Sequence, residues 1–138
     1  MTIGAELQRV SEILADWTDT PVRSTGGGDF IPPKRTGSPT SPAGWLVYEV
    51  THDSSELLAF GGETARHGRL LIGYFVEPAA REVHARSVLT DVAALFATAD
   101  VPELVFLGGR LVRSGLPVKI DEEEWATWVW EIPFIAQD

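Results

Sequence analysis

Few residues in this chain are of types and spacings that could do covalent or metal chemistry. His52-Asp53 comes nearest. Adjacent His-Asp pairs serve metal-dependent phosphohydrolases, where further His and Asp from neighbouring helices complete the site. Only two other histidines exist, His67 and His84, and no two of the three stand at i and i+4, the spacing that puts two ligands on one helix face. The pair is therefore read as a surface turn after a strand. Gly26-Gly27-Gly28 would suit a phosphate cradle, but a Walker loop needs Gly-Lys-Ser/Thr opening a helix, and Asp29-Phe30-Ile31-Pro32 follows instead. No Gly-x-Ser-x-Gly nucleophile elbow occurs. Asp121-Glu122-Glu123-Glu124 could hold a hard cation through carboxylate oxygens, yet it lacks the acid spacing of a calcium loop and reads as a solvated charge run. The expectation is a chain with no catalytic, cofactor-binding or metal-ligating residues, no cofactor and no enzymatic activity.

The aromatic residues are more informative. Trp125, Trp128 and Trp130 fall within six residues. On a strand, Trp128 and Trp130 share one face and Trp125 takes the other. Large aromatics on both faces exceed what a small monomer easily buries, and tryptophan is enriched at interfaces, so one side of this strand is expected to meet a subunit.

Composition narrows the classes further. The chain has 138 residues, enough for one domain with a proper core. Its hydrophobic fraction of 44% argues against disorder throughout. No apolar run approaches the ~20 residues of a membrane span, and the start, Met1 to Glu6, lacks the basic region of a secretory signal. The absence of cysteine excludes disulfides, thiol nucleophiles and cysteine-ligated zinc. Net charge is −9, and after Lys119 there are six acids and no Lys or Arg. Affinity for duplex phosphates comes from clustered Lys and Arg. The densest basic cluster here is Lys34-Arg35, so nucleic-acid binding is disfavoured.

The elements that must carry these residues follow from periodicity. Ile3, Leu7, Val10, Leu14 and Trp17 recur at helical spacing, with Glu6, Arg9, Glu12 and Asp16 on the opposite face, which predicts an amphipathic helix over 3–17. Residues 24–44 hold dense Gly, Pro, Ser and Thr and predict a long arm, either a surface loop or an arm that orders against a neighbour. Trp45–Thr51 reads as a strand and Leu57–Phe60 as a short one, followed by a loop over 61–67. Gly68–Glu77 is apolar on both alternating faces, Leu70, Ile72, Tyr74 and Val76 against Leu71 and Phe75, and so belongs in mid-sheet with both sides covered. Ala80–Ala97 carries a helical stripe at Ala85, Val88, Leu89, Val92, Leu95 and Phe96. Leu104–Leu107 and Arg110–Ser114 flank Gly108-Gly109 as a hairpin. Trp125–Phe134 closes the chain as a strand with Pro133 near its end or at an edge. Strand runs with two helices predict a single α+β domain over 1–138, with a mixed or mostly antiparallel sheet.

Several short motifs then come together in one order. Phe30-Ile31-Pro32-Pro33 precedes Trp45. Arg66-His67-Gly68-Arg69-Leu70 opens a strand that closes on Phe75-Val76-Glu77-Pro78. A helix follows, and the chain runs on to Trp125 and Ile132-Pro133-Phe134. This layout resembles the tail terminator (tail-to-head joining) proteins of long-tailed bacteriophages and gene-transfer particles. Ala79-Ala80 stands where members of that family often have glycines. The resemblance implies a mixed sheet flanked by helices and a structural protein without activity. It also implies a homo-hexameric ring in the virion that caps the tail tube, meets the tube protein and the head-completion proteins of the neck, and lets DNA pass without specific binding. On that reading Phe30, Trp45, Trp125, Trp128, Trp130 and Phe134 are the expected subunit interface, and Asp121, Glu122, Glu123 and Glu124 line the channel lumen. Other neck or minor tail proteins share this size and acidity. A small cytoplasmic ligand-binding module, with Tyr48, Tyr74 and His67 as candidate polar groups, is the reading from another class.

Overall fold

A computed structural model describes residues 3–25, 30–57 and 64–137. The element order is α1 (Ile3–Leu14), β1 (Val22–Ser24), β2 (Gly44–Leu57), β3 (Thr64–Val76), α2 (Glu82–Ala97), β4 (Leu104–Phe106), β5 (Arg110–Ile120) and β6 (Glu123–Gln137). The fold is α+β, with one six-stranded mixed sheet and two helices. Across the sheet the order is β1-β2-β3-β6-β4, with β5 also on β6. Only β1 runs parallel to its neighbour.

The doubly apolar strand does lie in mid-sheet: β3 has β2 on one side and β6 on the other. Its even-numbered set, Leu70, Ile72, Tyr74 and Val76, is at most 1% exposed. That set shares a face with Leu46 and Tyr48 of β2 and with Trp128, Ile132, Phe134 and Ala136 of β6. Both helices cover this face. Helix α2 supplies Ala85, Leu89, Val92 and Phe96, four of the six stripe residues expected, while α1 supplies Val10 and Leu14. No described helix is long and apolar enough to cross a membrane.

Several sequence expectations are corrected. Helix α1 ends at Leu14 rather than Trp17, and its last turn tightens through Asp16 N–H to Ile13 C=O and Trp17 N–H to Leu14 C=O bonds. Its buried line runs Glu6, Val10, Leu14, leaving Leu7 41% exposed. Glu6, expected on the polar face, points inward because its carboxylate meets the Arg66 guanidinium there. Strands β2 and β3 are longer than expected, so His52-Asp53 lies within a strand, at a register shift between His52 and Ser54, and not in a turn. The loop expected over 61–67 is strand from Thr64 onward. Residues 58–60 of the short strand and 61–63 of that loop lie outside the described residues, as does Gly26–Asp29 of the arm.

The Gly108-Gly109 hairpin does not exist. Strands β4 and β5 do not pair with each other; both pair with β6, one after the other along the same edge. Pro133 explains the break between them. It lies inside β6, opposite Arg69 of β3, and its carbonyl accepts the Leu107 N–H at 2.8 Å. A strand residue's N–H and C=O point to the same side, so the donor that proline lacks faces the gap between β4 and β5. Gly109 in that gap stands so close to the Trp130 indole that a Cβ would overlap it. The real hairpin joins β5 to β6, where Ile120 pairs with Glu123 across Asp121-Glu122. Those two residues have φ of 51° and 68°. Two successive positive φ values are what a two-residue hairpin turn matched to strand twist requires, though Asn-Gly is the usual pair there.

Candidate functional site

The sheet face away from the helices is where the expected interface and lumen residues can be judged. Trp45, Val47 and Glu49 of β2 share it with Leu71, Gly73 and Phe75 of β3 and with Trp125, Thr127, Val129 and Glu131 of β6. At one end three rings make an aromatic floor. Trp45 stacks on Phe75 with centroids 5.1 Å apart and meets Trp125 edge-on at 4.7 Å. Residues 30–43 lie on that floor. Phe30 packs on Trp45 at 5.4 Å, with the Arg23 guanidinium 5.0 Å from its other side. The Arg35 guanidinium sits 4.7 Å from the Trp125 ring. Its Nε donates to Glu123 Oε2 at 3.3 Å, and a terminal nitrogen donates to the Glu124 carbonyl.

The arm ends on a buried carboxylate. Glu77 follows β3 directly and is 3% exposed. Its Oε2 accepts from the Thr36 hydroxyl at 2.9 Å and from Ala43 N–H at 2.6 Å, and its Oε1 accepts from Gly37 N–H at 3.0 Å. Burial pushes the Glu77 carboxyl up, but the hydrogen bonds from Gly37, Ala43 and Thr36 outweigh it and hold the group below its ordinary 4.5. The arm that the sequence left either loose or ordered on a neighbour is therefore folded onto its own sheet.

A second buried carboxylate lies on the helix side. Glu6 is 0% exposed. Arg66 of β3 donates to its Oε1 from a terminal nitrogen at 2.6 Å and from Nε at 3.2 Å, and His52 Nε2 contacts its Oε2. The His52 ring also stands edge-on to Phe134 at 5.9 Å. His52 thus works as a structural partner tying α1 to the sheet. Near the other end of that face the Tyr74 hydroxyl lies 3.0 Å from His84 Nε2, and burial pushes the phenol up to about 12. No group of three His, Cys, Asp or Glu among the described residues could hold a metal ion.

Most of the expected interface residues are interior. Trp45 and Phe134 are 2% exposed, Trp125 0% and Trp128 8%, all buried within one chain, so their side chains offer no free surface to a neighbour. The face alternation was read correctly: Trp128 and Trp130 face the helices and Trp125 the arm. At Trp125 the second face is covered by a loop of the same chain, which spacing along the strand does not reveal. Phe30 and Trp130 remain half-buried. The indole nitrogens of Trp125 and Trp130 are buried without a hydrogen-bond partner among the described residues.

The four acids sit at and beside the β5–β6 turn, all exposed, with Glu123 engaged by Arg35. Between this tip and Pro32–Arg35 opens a cleft of about 410 Å³, lined also by Ile120. A smaller hollow of about 190 Å³ continues over Phe30, Trp45 and Phe75. Beyond the arm no described helix covers this face. Val47, Leu71, Val129, Pro133 and Ile135 are half-buried, and Val105 and Leu107 at the edge are 54% and 46% exposed. In mid-face Glu131 lies 3.5 Å from Arg69 and 3.7 Å from Arg110.

Among known proteins, no family model matches the chain and no curated protein matches it.

Proposed function

We propose that this chain is a structural subunit that assembles into a ring, as a tail terminator closing the tail tube of a long-tailed phage or gene-transfer particle and joining it to the neck. The observation that carries self-assembly is the open half of the sheet. An antiparallel sheet with one face in water normally alternates apolar inward and polar outward. Here the outward set from β3 and β6 includes Leu71, Val129, Pro133 and Ile135, with no described helix over it. An apolar patch of this kind marks an interaction surface. The particular assembly is supported by the order of motifs from Phe30-Ile31-Pro32-Pro33 to Ile132-Pro133-Phe134 and by the α+β architecture that the resemblance implies.

In this reading the partners are further copies of the chain, the tube protein and the neck completion protein, and the place of action is the virion. The exposed acids Asp121, Glu122 and Glu124 line the passage, where like charge keeps DNA phosphates from adhering. Reversal of these three to lysine is expected to slow genome ejection, and unchanged infection kinetics would remove them from the lumen. The reading as a whole is tested by native mass over a wide concentration range, with negative-stain images, and by addition to isolated tail tubes. Annuli of about six copies, or a cap on the tube tip, are expected. A monomer that leaves tubes uncapped would overturn it.

A further inference from the structure

We propose that residues 36–43 form a carboxylate-binding nest, that the Glu77 side chain is its built-in ligand, and that the arm closes over the aromatic floor as a strap fastened by this one recognition event. The inference stands apart from the ring reading, since the strap and its peg lie in one chain.

The nest has hydrogen bonds of its own besides those to the carboxylate. Ser38 N–H donates to Thr36 Oγ1 at 3.2 Å, and Ser38 Oγ accepts from Thr40 N–H at 3.3 Å and Ser41 N–H at 3.1 Å. These local bonds curl the segment so that Gly37 N–H, Ala43 N–H and the Thr36 hydroxyl converge. Gly37 has φ +71°, a left-handed conformation that only glycine adopts at little cost. The Thr36 hydroxyl has one hydrogen for two acceptors, Glu77 Oε2 and the Ser41 carbonyl, each at 2.9 Å. The neutralising groups are N–H and O–H dipoles, and no cation takes part in these bonds. Such clustered main-chain donors are a recurring anion site. Both oxygens of the occupant are engaged from different sides, which selects a planar carboxylate. In return the Glu77 N–H donates to the Ala43 carbonyl at 3.2 Å, so the two ends of the contact hold each other.

The other fastenings are shallower. Phe30 rests on Trp45, and Arg35 lies over Trp125 with its guanidinium shared between Glu123 and the Glu124 carbonyl. Glu77 is the only member of the set that is a buried charge, so its loss releases the arm while the core under α1 and α2 stays folded. What the open strap uncovers is Trp45, Phe75 and Trp125.

The test is chemical rescue. Lys34 and Arg35 lie in the arm and are trypsin sites. In Glu77→Ala the nest is left without its ligand, and cleavage after these two residues is expected to accelerate about ten-fold or more, because a charge-assisted hydrogen bond is lost. Added formate or acetate should slow it again, while sodium chloride at matched ionic strength should not. Glu77→Gln should also be cut fast but resist rescue, since its side chain fills the site and turns an NH2 toward a donor. Cleavage of Glu77→Ala at the wild-type rate, or rescue by chloride equal to that by formate, overturns the proposal. If Glu77→Ala loses its far-UV circular dichroism, amide exchange in Glu77→Gln decides. Lost protection at Gly37 and Ala43 with Tyr74 unchanged supports the strap, and full protection at all three overturns it.

Discussion

Glu6 and Glu77 are both buried carboxylates, and the molecule neutralises them by opposite means. Glu6 is met by side chains, a guanidinium and an imidazole: Arg66 and His52 reach it from β3 and β2, sixty and forty-six residues along the chain. Glu77 is met by dipoles: Thr36, Gly37 and Ala43 come from one loop. The first arrangement fastens a helix whose apolar side, Val10 and Leu14, is already in the core. The second fastens an arm that has little core of its own, with Ile31 89% exposed. A buried ion pair costs much of its attraction in desolvation, so the Glu6 cluster fixes where α1 sits more than it adds to stability. A carboxylate capped by N–H groups is the main attachment of its element, so its loss is local and reversible.

The comparison can be broken most severely at Glu6. Glu6→Ala takes from Arg66, whose side chain is 18% exposed, its buried carboxylate partner, and is expected to cost about 3–5 kcal/mol in denaturant unfolding, the range for breaking one side of a buried pair. The double change Glu6→Leu with Arg66→Met should recover most of that loss, because both members of the ion pair are replaced by apolar side chains. A double variant as unstable as the single one would show that the pair itself stabilises. Next comes Glu77→Gln, expected to cost about 1.5–3 kcal/mol, with the loss confined to amides of the arm.

Acid provides a third break, and its sign follows from the direction of the shift. The Glu77 carboxyl is held below 4.5 in the folded chain. Its contribution is therefore complete above that unfolded value and is lost as pH falls through the lower folded value. Amide exchange at Gly37 and Ala43 should accelerate over that acid window in the native chain and show no such step in Glu77→Gln. The smallest effects belong to the hairpin on which the strap rests. Arg35→Ala removes a partly exposed cation–π contact worth about 0.5–1 kcal/mol and should show chiefly as faster trypsin cleavage after Lys34. Glu122→Gly relieves a left-handed backbone that costs an L-residue about 1–2 kcal/mol, partly offset by added unfolded-state freedom. A gain of at most about 1 kcal/mol in thermal unfolding is expected, and a loss would mean that the turn holds Glu122 through its side chain.

The two carboxylates also show what a single sequence can disclose. Alternation in β3 and the stripe of α2 were legible because each depends only on neighbours along the chain. Glu6 was misassigned to the solvent face because hydropathy spacing cannot see a cation sixty residues away. The six-residue Trp cluster reads as a subunit contact because large aromatics on both faces exceed what a small monomer easily buries, and spacing does not reveal that the Pro- and Ser-rich arm covers Trp125. Gly108-Gly109 mimicked a hairpin signal, while the true turn at Asp121-Glu122 contains no glycine at all. The useful clue was Pro133, which inside a strand paired on both sides needs a gap beside it.

That broken edge has a mechanical consequence. Strand β6 is bonded to β3 from Ala126 to Gln137 and, on its other side, to β5 and then β4 over nearly its whole length. Antiparallel bonds lie across the strand direction, so a pull along β6 strains many of them at once in shear instead of peeling them singly. The short gap at Pro133 divides the outer side into two independent grips, and one can slip while the other holds. β6 thereby resists tension along its length better than a strand paired along one edge alone.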